Sequence, residues 1–301
     1  MAKRKQKPNI TAIIVSLLLI IACISAYSFS DDKPAGVMPS SSDDSTLAVC
    51  FIDVGQGDCE FIQFPNGECM LIDSGEKENS EKVIETVRAF GYGKIDYVVA
   101  THPHTDHIGG LAEVIDAFDI GEVYMPKVSA STKTFENLLI AIQNKNLQIH
   151  TAKAGVTVID DGMLEVKFLS PVKSSYDDLN NYSAVLKVTY GRDSYLFTGD
   201  AESPVENELL ENAYFELDSD ILKVAHHGSR TSSTEEFLFA VSPDYAVVEV
   251  GKGNSYNHPH TETIEKLESI GAEILRTDEK GTITVKSGGD GNYEFDYQVN
   301  V

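Results

Sequence analysis

Four metal-binding side chains fall within six residues: His102, His104, Asp106 and His107. Three imidazoles and a carboxylate together suit zinc, manganese or iron. His102 and His104 stand two apart, and Asp106 and His107 follow at once. A loop with that spacing can turn the second pair back toward a neighbouring position and hold two ions side by side. Ile95–Ala100 leads in as an apolar, strand-like run, and Gly109-Gly110 leads out into a helical pattern. A surface loop merely rich in histidine needs no buried strand to deliver it.

The same arrangement recurs downstream. Tyr195–Asp200 is an apolar strand ending in Thr198-Gly199-Asp200. The carboxylate is either poised at the sheet edge or caps the next helix. Leu222–Ser229 runs from apolar strand through His226-His227 to a glycine turn. Asn180-Asn181 precedes a further strand, and Asn254–His260 is a loop carrying His258 and His260 ahead of a helix. A plain turn asparagine and a plain helix start are the competing readings of Asn181 and His260. His150 stands alone and reads as structural or exposed. Cys50, Cys59 and Cys69 sit in apolar strand-like contexts with no zinc spacing. They read as small core residues, with one disulfide compatible but not required.

His-x-His-x-Asp-His after a strand resembles the signature of the metallo-β-lactamase-fold hydrolases. The string THPHTDHIGGL resembles one branch of them. That branch holds the hydrolase-like domain of bacterial competence DNA-uptake channel proteins and their stand-alone secreted relatives, with cell-wall phosphorylcholine esterases as more distant members. FIDVGQGDCEFIQFPNGECMLIDSG resembles its opening strands, and the resemblance covers Leu47–Lys286.

The resemblance implies an α/β fold, the αββα metallo-β-lactamase sandwich, with two divalent cations, zinc or manganese. It implies His102, His104, Asp106, His107 and Asp200 as ligands, with Asp200 bridging, and one of the pair His226-His227 as the last. His227 is the expected ligand and His226 a catalytic or phosphate-binding group, though the two are open to exchange. Gly55-Gln56-Gly57-Asp58 is placed close to the metals, with Asp58 behind the ligands rather than among them. Many members carry a histidine where this chain has Asn180-Asn181. That departure leaves one metal an open position, where Asn181 is expected to meet a substrate oxygen. His258 and His260 are expected to act on a leaving group or bind phosphate. Water activated by the two cations is the implied nucleophile, attacking phosphorus or a carbonyl carbon. Asp106 is expected to orient it, and His226 or His260 to hold the developing charge.

The expected activity is an extracytoplasmic hydrolase of phosphodiesters, whether DNA, nucleotide or cell-wall. The alternatives are a β-lactamase or thioesterase-like hydrolase, and a non-catalytic surface module that keeps the fold. The competence channels carry many membrane spans and this chain at most one, so channel function does not carry over.

The elements that must position these residues are legible as alternating patterns. Leu47–Val54, Cys59–Phe64 and Glu68–Asp73 read as strands, the last two joined by the tight turn Pro65-Asn66-Gly67. Helical periods over Glu78–Phe90, Leu111–Phe118 and Thr134–Lys145 alternate with strands at Ile95–Ala100 and Gly121–Met125. Val156–Ile159, Met163–Leu169, Ala184–Tyr190 and Ser194–Thr198 follow as a mostly antiparallel set. Strand-helix alternation then resumes to Lys286, with an edge strand expected in the tail after Ser287. Helices covering sheets in two halves fit the sandwich.

The 301 residues carry 24 Lys+Arg against 47 Asp+Glu, a net charge of −23. That excess repels polyanions at long range, and no basic patch is visible, which excludes tight nonspecific nucleic-acid binding. A hydrophobic content of 42% supplies a full core. Lys3, Arg4, Lys5 and Lys7 precede the apolar run Ile10–Tyr27, the pattern of an export signal. Three outcomes stay open: a retained membrane anchor, cleavage after Ala26, or a lipoprotein signal with Cys23 lipidated. The expected organisation is therefore a signal or anchor at 1–27, a flexible tether at 28–46 and the hydrolase domain at 47–301.

Overall fold

A computed structural model describes residues 45–298. The signal or anchor and nearly all of the tether lie outside those residues. Among the described residues no helix is long and apolar enough to cross a membrane.

The chain begins with β1 (Leu47–Phe51), β2 (Cys59–Gln63) and β3 (Cys69–Asp73), an antiparallel meander. Helix α1 (Ser80–Ala89) crosses over to β4 (Lys94–Val99), which runs parallel to β3. The short α2 (Thr105–Ile108) and α3 (Leu111–Ala117) lead to β5 (Asp119–Met125), and α4 (Lys133–Asn144) leads to β6 (Ile149–Thr151). The second sheet starts with β7 (Thr157–Asp160), β8 (Leu164–Phe168), β9 (Leu186–Tyr190) and β10 (Asp193–Phe197), all antiparallel. It continues in parallel through α5 (Ser203–Asn212), β11 (Ile221–Lys223), α6 (Glu235–Val241), β12 (Tyr245–Val248), α7 (Thr261–Ser269) and β13 (Glu273–Arg276). Strands β14 (Thr282–Ser287) and β15 (Tyr293–Gln298) return to the first sheet. The orders are β15-β14-β1-β2-β3-β4-β5-β6 and β13-β12-β11-β10-β9-β8-β7.

Period-two alternation explains the layers. In β1, Leu47, Val49 and Phe51 face the second sheet, whereas Cys50 faces the helices outside. In β10, Tyr195 and Phe197 face inward and Leu196 packs under α5–α7. Phe51 and Phe197 stack across the interface with centroids 6.1 Å apart. Both faces of each sheet are covered, so a central strand such as β1 is buried throughout and reads as a continuous apolar run. The result is helices, sheet, sheet, helices.

The expected strands and helices appear within a few residues of their predicted bounds, and β15 is the exposed edge strand. Not expected were α2, β6, which is too short to show a period, the helical turn Thr277–Lys280 and 3-10 turns such as Leu179–Tyr182. Cys50, Cys59 and Cys69 are buried and free, so the optional disulfide is not formed among them.

Candidate metal centre

Strands of both sheets end at one edge of the sandwich. The end of β4 delivers Thr101–His107, β10 delivers Asp200, and β11 delivers His226-His227. Around Asp200 the side chains divide into two groups. His102 Nε2 lies 3.1 Å from His104 Nδ1 and 3.8 Å from Asp200 Oδ2. On the other side, Asp200 Oδ1 is 3.3 Å from His107 Nε2 and 3.6 Å from His227 Nε2. Asp106 Oδ2 completes that group, 3.4 Å from His227 Nε2 and 4.0 Å from His107 Nε2.

Each imidazole is aimed from behind. His107 Nδ1 bonds Asp73 Oδ2 at 2.8 Å, and Asp73 is itself fixed by the Thr101 amide and hydroxyl. His227 Nδ1 donates to the Glu249 carbonyl at 3.0 Å, and a carbonyl can only accept. The Nε2 atoms are therefore left to face the centre. His102 Nδ1 rests on Thr101 Oγ1 at 3.1 Å. Such backing partners fix tautomer and ring orientation in metal sites.

The donor set fits a cation. His107 Nε2, His227 Nε2 and Asp200 Oδ1 are buried, converge on one point and have no hydrogen-bond partner. Orphaned buried polar atoms are costly unless something bonds them. The electrostatics agree. Burial lowers His102 well below the usual imidazole range. Burial would also lower His227, but Asp200 and Asp58 outweigh it and hold it at about 10. His107 is raised for the same reason, by Asp200, Asp58 and Asp106. The carboxylates thus demand positive charge at the centre, and a divalent ion supplies it by displacing protons.

The metallo-beta-lactamase superfamily model matches residues 52–251. The chain belongs to that superfamily. Members are in general metal-dependent hydrolases, and the His/Asp cluster here suits divalent metals. The chain is 34% identical to the ComE operon protein 3 of Bacillus subtilis, across 78% of this chain and 32% of that protein. It therefore spans about a third of the length of that relative. It is 31% identical to the ribonuclease Z of Archaeoglobus fulgidus over 36% of each chain. The solved structure of CmlA, a diiron β-hydroxylase from Streptomyces venezuelae, shares the fold at a TM-score of 0.54 and 15% identity, covering 83% of this chain and 55% of that one.

Two glycines in this metallo-beta-lactamase member are dictated by the site. Gly57 sits where a Cβ would lie 2.3 Å from the Asp106 carbonyl, and the next amide, that of Asp58, donates to that same oxygen. Gly228 has φ +82°, and a Cβ there would lie 2.5 Å from Pro259. Just before it, His226 and His227 both adopt left-handed backbone, φ 51° and 53°. That strained turn separates the rings, whose planes stand 70° apart, so that one buries toward the centre and the other faces the cavity.

The cluster opens into a cavity of about 340 Å³. His226 lines it, with Nε2 3.7 Å from Asp200 Oδ2 and Nδ1 3.2 Å from Thr231 Oγ1. His258 also lines it; burial and the neighbouring imidazoles lower it to about 4, so its ring is neutral. Two expectations are corrected. Asn181 does not reach the cavity, because its amide is engaged with Glu202, accepting from the backbone N–H at 3.2 Å and donating to Oε2 at 3.3 Å. Asn180 lines the cavity instead, its Oδ1 buried and unpartnered. His260 does not line the cavity either; it precedes α7, and its Nδ1 accepts from the Arg230 amide. His150 of β6 packs its ring against Tyr124 of β5. A larger hollow of about 530 Å³, lined by Leu210, Tyr214, Phe239 and Ile270, contains no cluster of ligating side chains.

Sequence reasoning missed the support beneath the site. Lys223 is fully buried, with Nζ 2.5 Å from Asp58 Oδ2. Asp58 Oδ1 in turn lies 3.1 Å from His227 Nδ1, behind the ligands as expected. Glu60 and Glu249 are buried beside them. Burial and Asp58 raise the Glu249 carboxyl to about 8, so it keeps its proton at neutral pH. The available signal was a charged residue inside each of three apolar strand runs.

Proposed function

We propose that this protein is an extracytoplasmic hydrolase that binds two divalent cations and cleaves phosphodiester bonds. The observation that carries the reading is the division of Asp200, one oxygen toward His102 and His104, the other toward Asp106, His107 and His227. A carboxylate so placed screens two adjacent cations from one another. When bound, such cations supply Lewis-acid charge and acidify a water.

The chain's own residues do the rest. Asp106 reaches the cavity from the deeper group, so its carboxylate can orient a nucleophile and accept its proton. His226 lines the same cavity and can hold charge that develops on a substrate oxygen. Asn180 lines the same cavity, and with its Oδ1 buried it is the side-chain NH2 that can donate to a substrate oxygen. The phosphodiester reading is supported by the similarity to a protein named as a ribonuclease. The extracytoplasmic reading is supported by the basic start and the apolar run Ile10–Tyr27.

Purified full-length chain, loaded with manganese or zinc, is assayed against bis-p-nitrophenyl phosphate, DNA, p-nitrophenyl-phosphorylcholine and a cephalosporin. Phosphodiester turnover that disappears on chelation is expected. Cephalosporin turnover alone, or no turnover with full metal content, would falsify the reading. Elemental analysis should give well over one metal per chain, and cell fractionation should find the protein in the membrane or medium.

A further inference from the structure

We infer that Tyr256 is a stacking platform for a planar aromatic group, a nucleobase, attached to the phosphodiester that the metal centre receives. The inference rests on the phosphodiester reading above and adds the substrate class. Tyr256 lines the cavity yet is 61% exposed. Its ring lies nearly parallel to His258, at 25° and 5.6 Å, and His258 reaches on toward His226 and His227. An aromatic tier therefore climbs from the metal ligands to the rim.

The ring is held out by construction. Asn254 makes four hydrogen bonds inside its own loop: its side-chain amide donates to the carbonyls of Gly251 and His258, and its oxygen accepts from the amides of Tyr256 and His258. The loop is also tied at both ends. Gly251 donates to the Gln56 side chain, and the His260 amide donates to the Gly228 carbonyl. A large aromatic side chain on a rigid loop loses little freedom when it meets a ligand. Charge points the same way. Among the described residues no lysine or arginine lines the cavity, and the chain carries −23, so a polyanionic backbone gains little here. Stacking needs no cation and contributes ~1–3 kcal/mol per base. The site is thus suited to a short, nucleotide-like phosphodiester rather than to long DNA.

Calorimetry of the full-length, manganese-loaded chain in detergent tests this with thymidine 5′-monophosphate and 1,2-dideoxyribose 5-phosphate, in which hydrogen replaces the base. The wild type should bind the nucleotide at least about fivefold more tightly, the lower end of one stacked base. Tyr256→Ala should abolish that preference by weakening the nucleotide alone, and Tyr256→Phe should keep it, since the ring remains. Phe239→Ala, an exposed aromatic lining the other hollow, should change neither affinity. Equal binding of the two ligands by the wild type would overturn the inference, as would an equal loss of both in Tyr256→Ala or the absence of binding by either. A base preference that depends on Tyr256 in a chain with no phosphodiesterase turnover would uphold the stacking subsite and refute the proposed activity.

Discussion

The two halves of the metal cluster are built differently. The deeper half, Asp106, His107 and His227, is closed from behind by Asp73, the Glu249 carbonyl and the Asp58–Lys223 pair. Two of its ligand atoms are buried with no partner. The outer half has only His102 and His104 beside the shared Asp200, and His104 faces the cavity. Its two ring nitrogens already contact one another at 3.1 Å. Asn180 lines the same cavity. One half is shaped to hold an ion, the other to leave room for a substrate beside one.

The largest test of that contrast removes what both halves share. Asp200→Ala should lower phosphodiesterase activity at least ~100-fold, on the scale of losing one electrostatic catalytic group. Circular dichroism at matched metal should show the fold intact, since Asp200 lies beyond the end of β10. Equal hydrolysis of a model phosphodiester by wild type and variant would refute a shared carboxylate.

Lys223→Met strikes only the deeper half, from beneath. It leaves Asp58 buried without its cation, a loss of about 3–5 kcal/mol for a broken buried pair, and frees the backing of His227. Metal titration should show one class of ion weakened by about 10–100-fold and the other nearly unchanged. A uniform loss at both would erase the distinction between the halves.

Proton competition sharpens the same contrast. His227 is raised to about 10 in the folded, metal-free cluster against a usual 6.5. Its contribution to stability is then complete below pH 6.5 and is lost as pH rises through about 10. The metal-stripped chain should therefore melt at lower temperature at pH 9–10 than at pH 6–7, whereas the metal-loaded chain should not show that loss. His102 is lowered and brings no such proton, so uptake by the outer half should depend less on pH.

Smaller effects complete the series. Asn180→Ala should raise KM about 2–12-fold, the range of one hydrogen bond, with little change in metal content, since Asn180 lines the cavity. His150→Ala should alter neither activity nor metal content, because its ring rests on Tyr124 of β5.

The sandwich was legible because buried strands announce themselves as apolar runs and their ends carry the polar residues. That pattern pointed to His102, His104, Asp106, His107, Asp200 and His227, which the structure brings together. What lay beyond it depended on register. A single turn of 3-10 helix over Leu179–Tyr182 decides that Asn180 rather than Asn181 faces the cavity, and no periodicity resolves one residue. His260 was misplaced because a residue at a helix start points either into a site or along the helix, and here the Arg230 amide takes it. Lys223, Glu60 and Glu249 escaped notice because charge in a strand is ordinarily read as exposure, whereas here Lys223 pairs with Asp58 and burial raises both glutamates toward their neutral form.

The convergence of the two sheets on one edge has a mechanical consequence. His102, His104, Asp106 and His107 hang from β4 of one sheet, while Asp200 and His227 hang from β10 and β11 of the other. Any ion held by both sets is a rivet through the sandwich. The two sheets are otherwise joined by apolar contact and by a few buried polar ties such as Lys223–Asp58. A rivet fixes the register of one sheet against the other, and its strength is set by supply. Each tenfold rise in free metal above the dissociation constant adds about 1.4 kcal/mol to the folded state. Where metal is scarce, this chain would be a looser clamp as well as an emptier site.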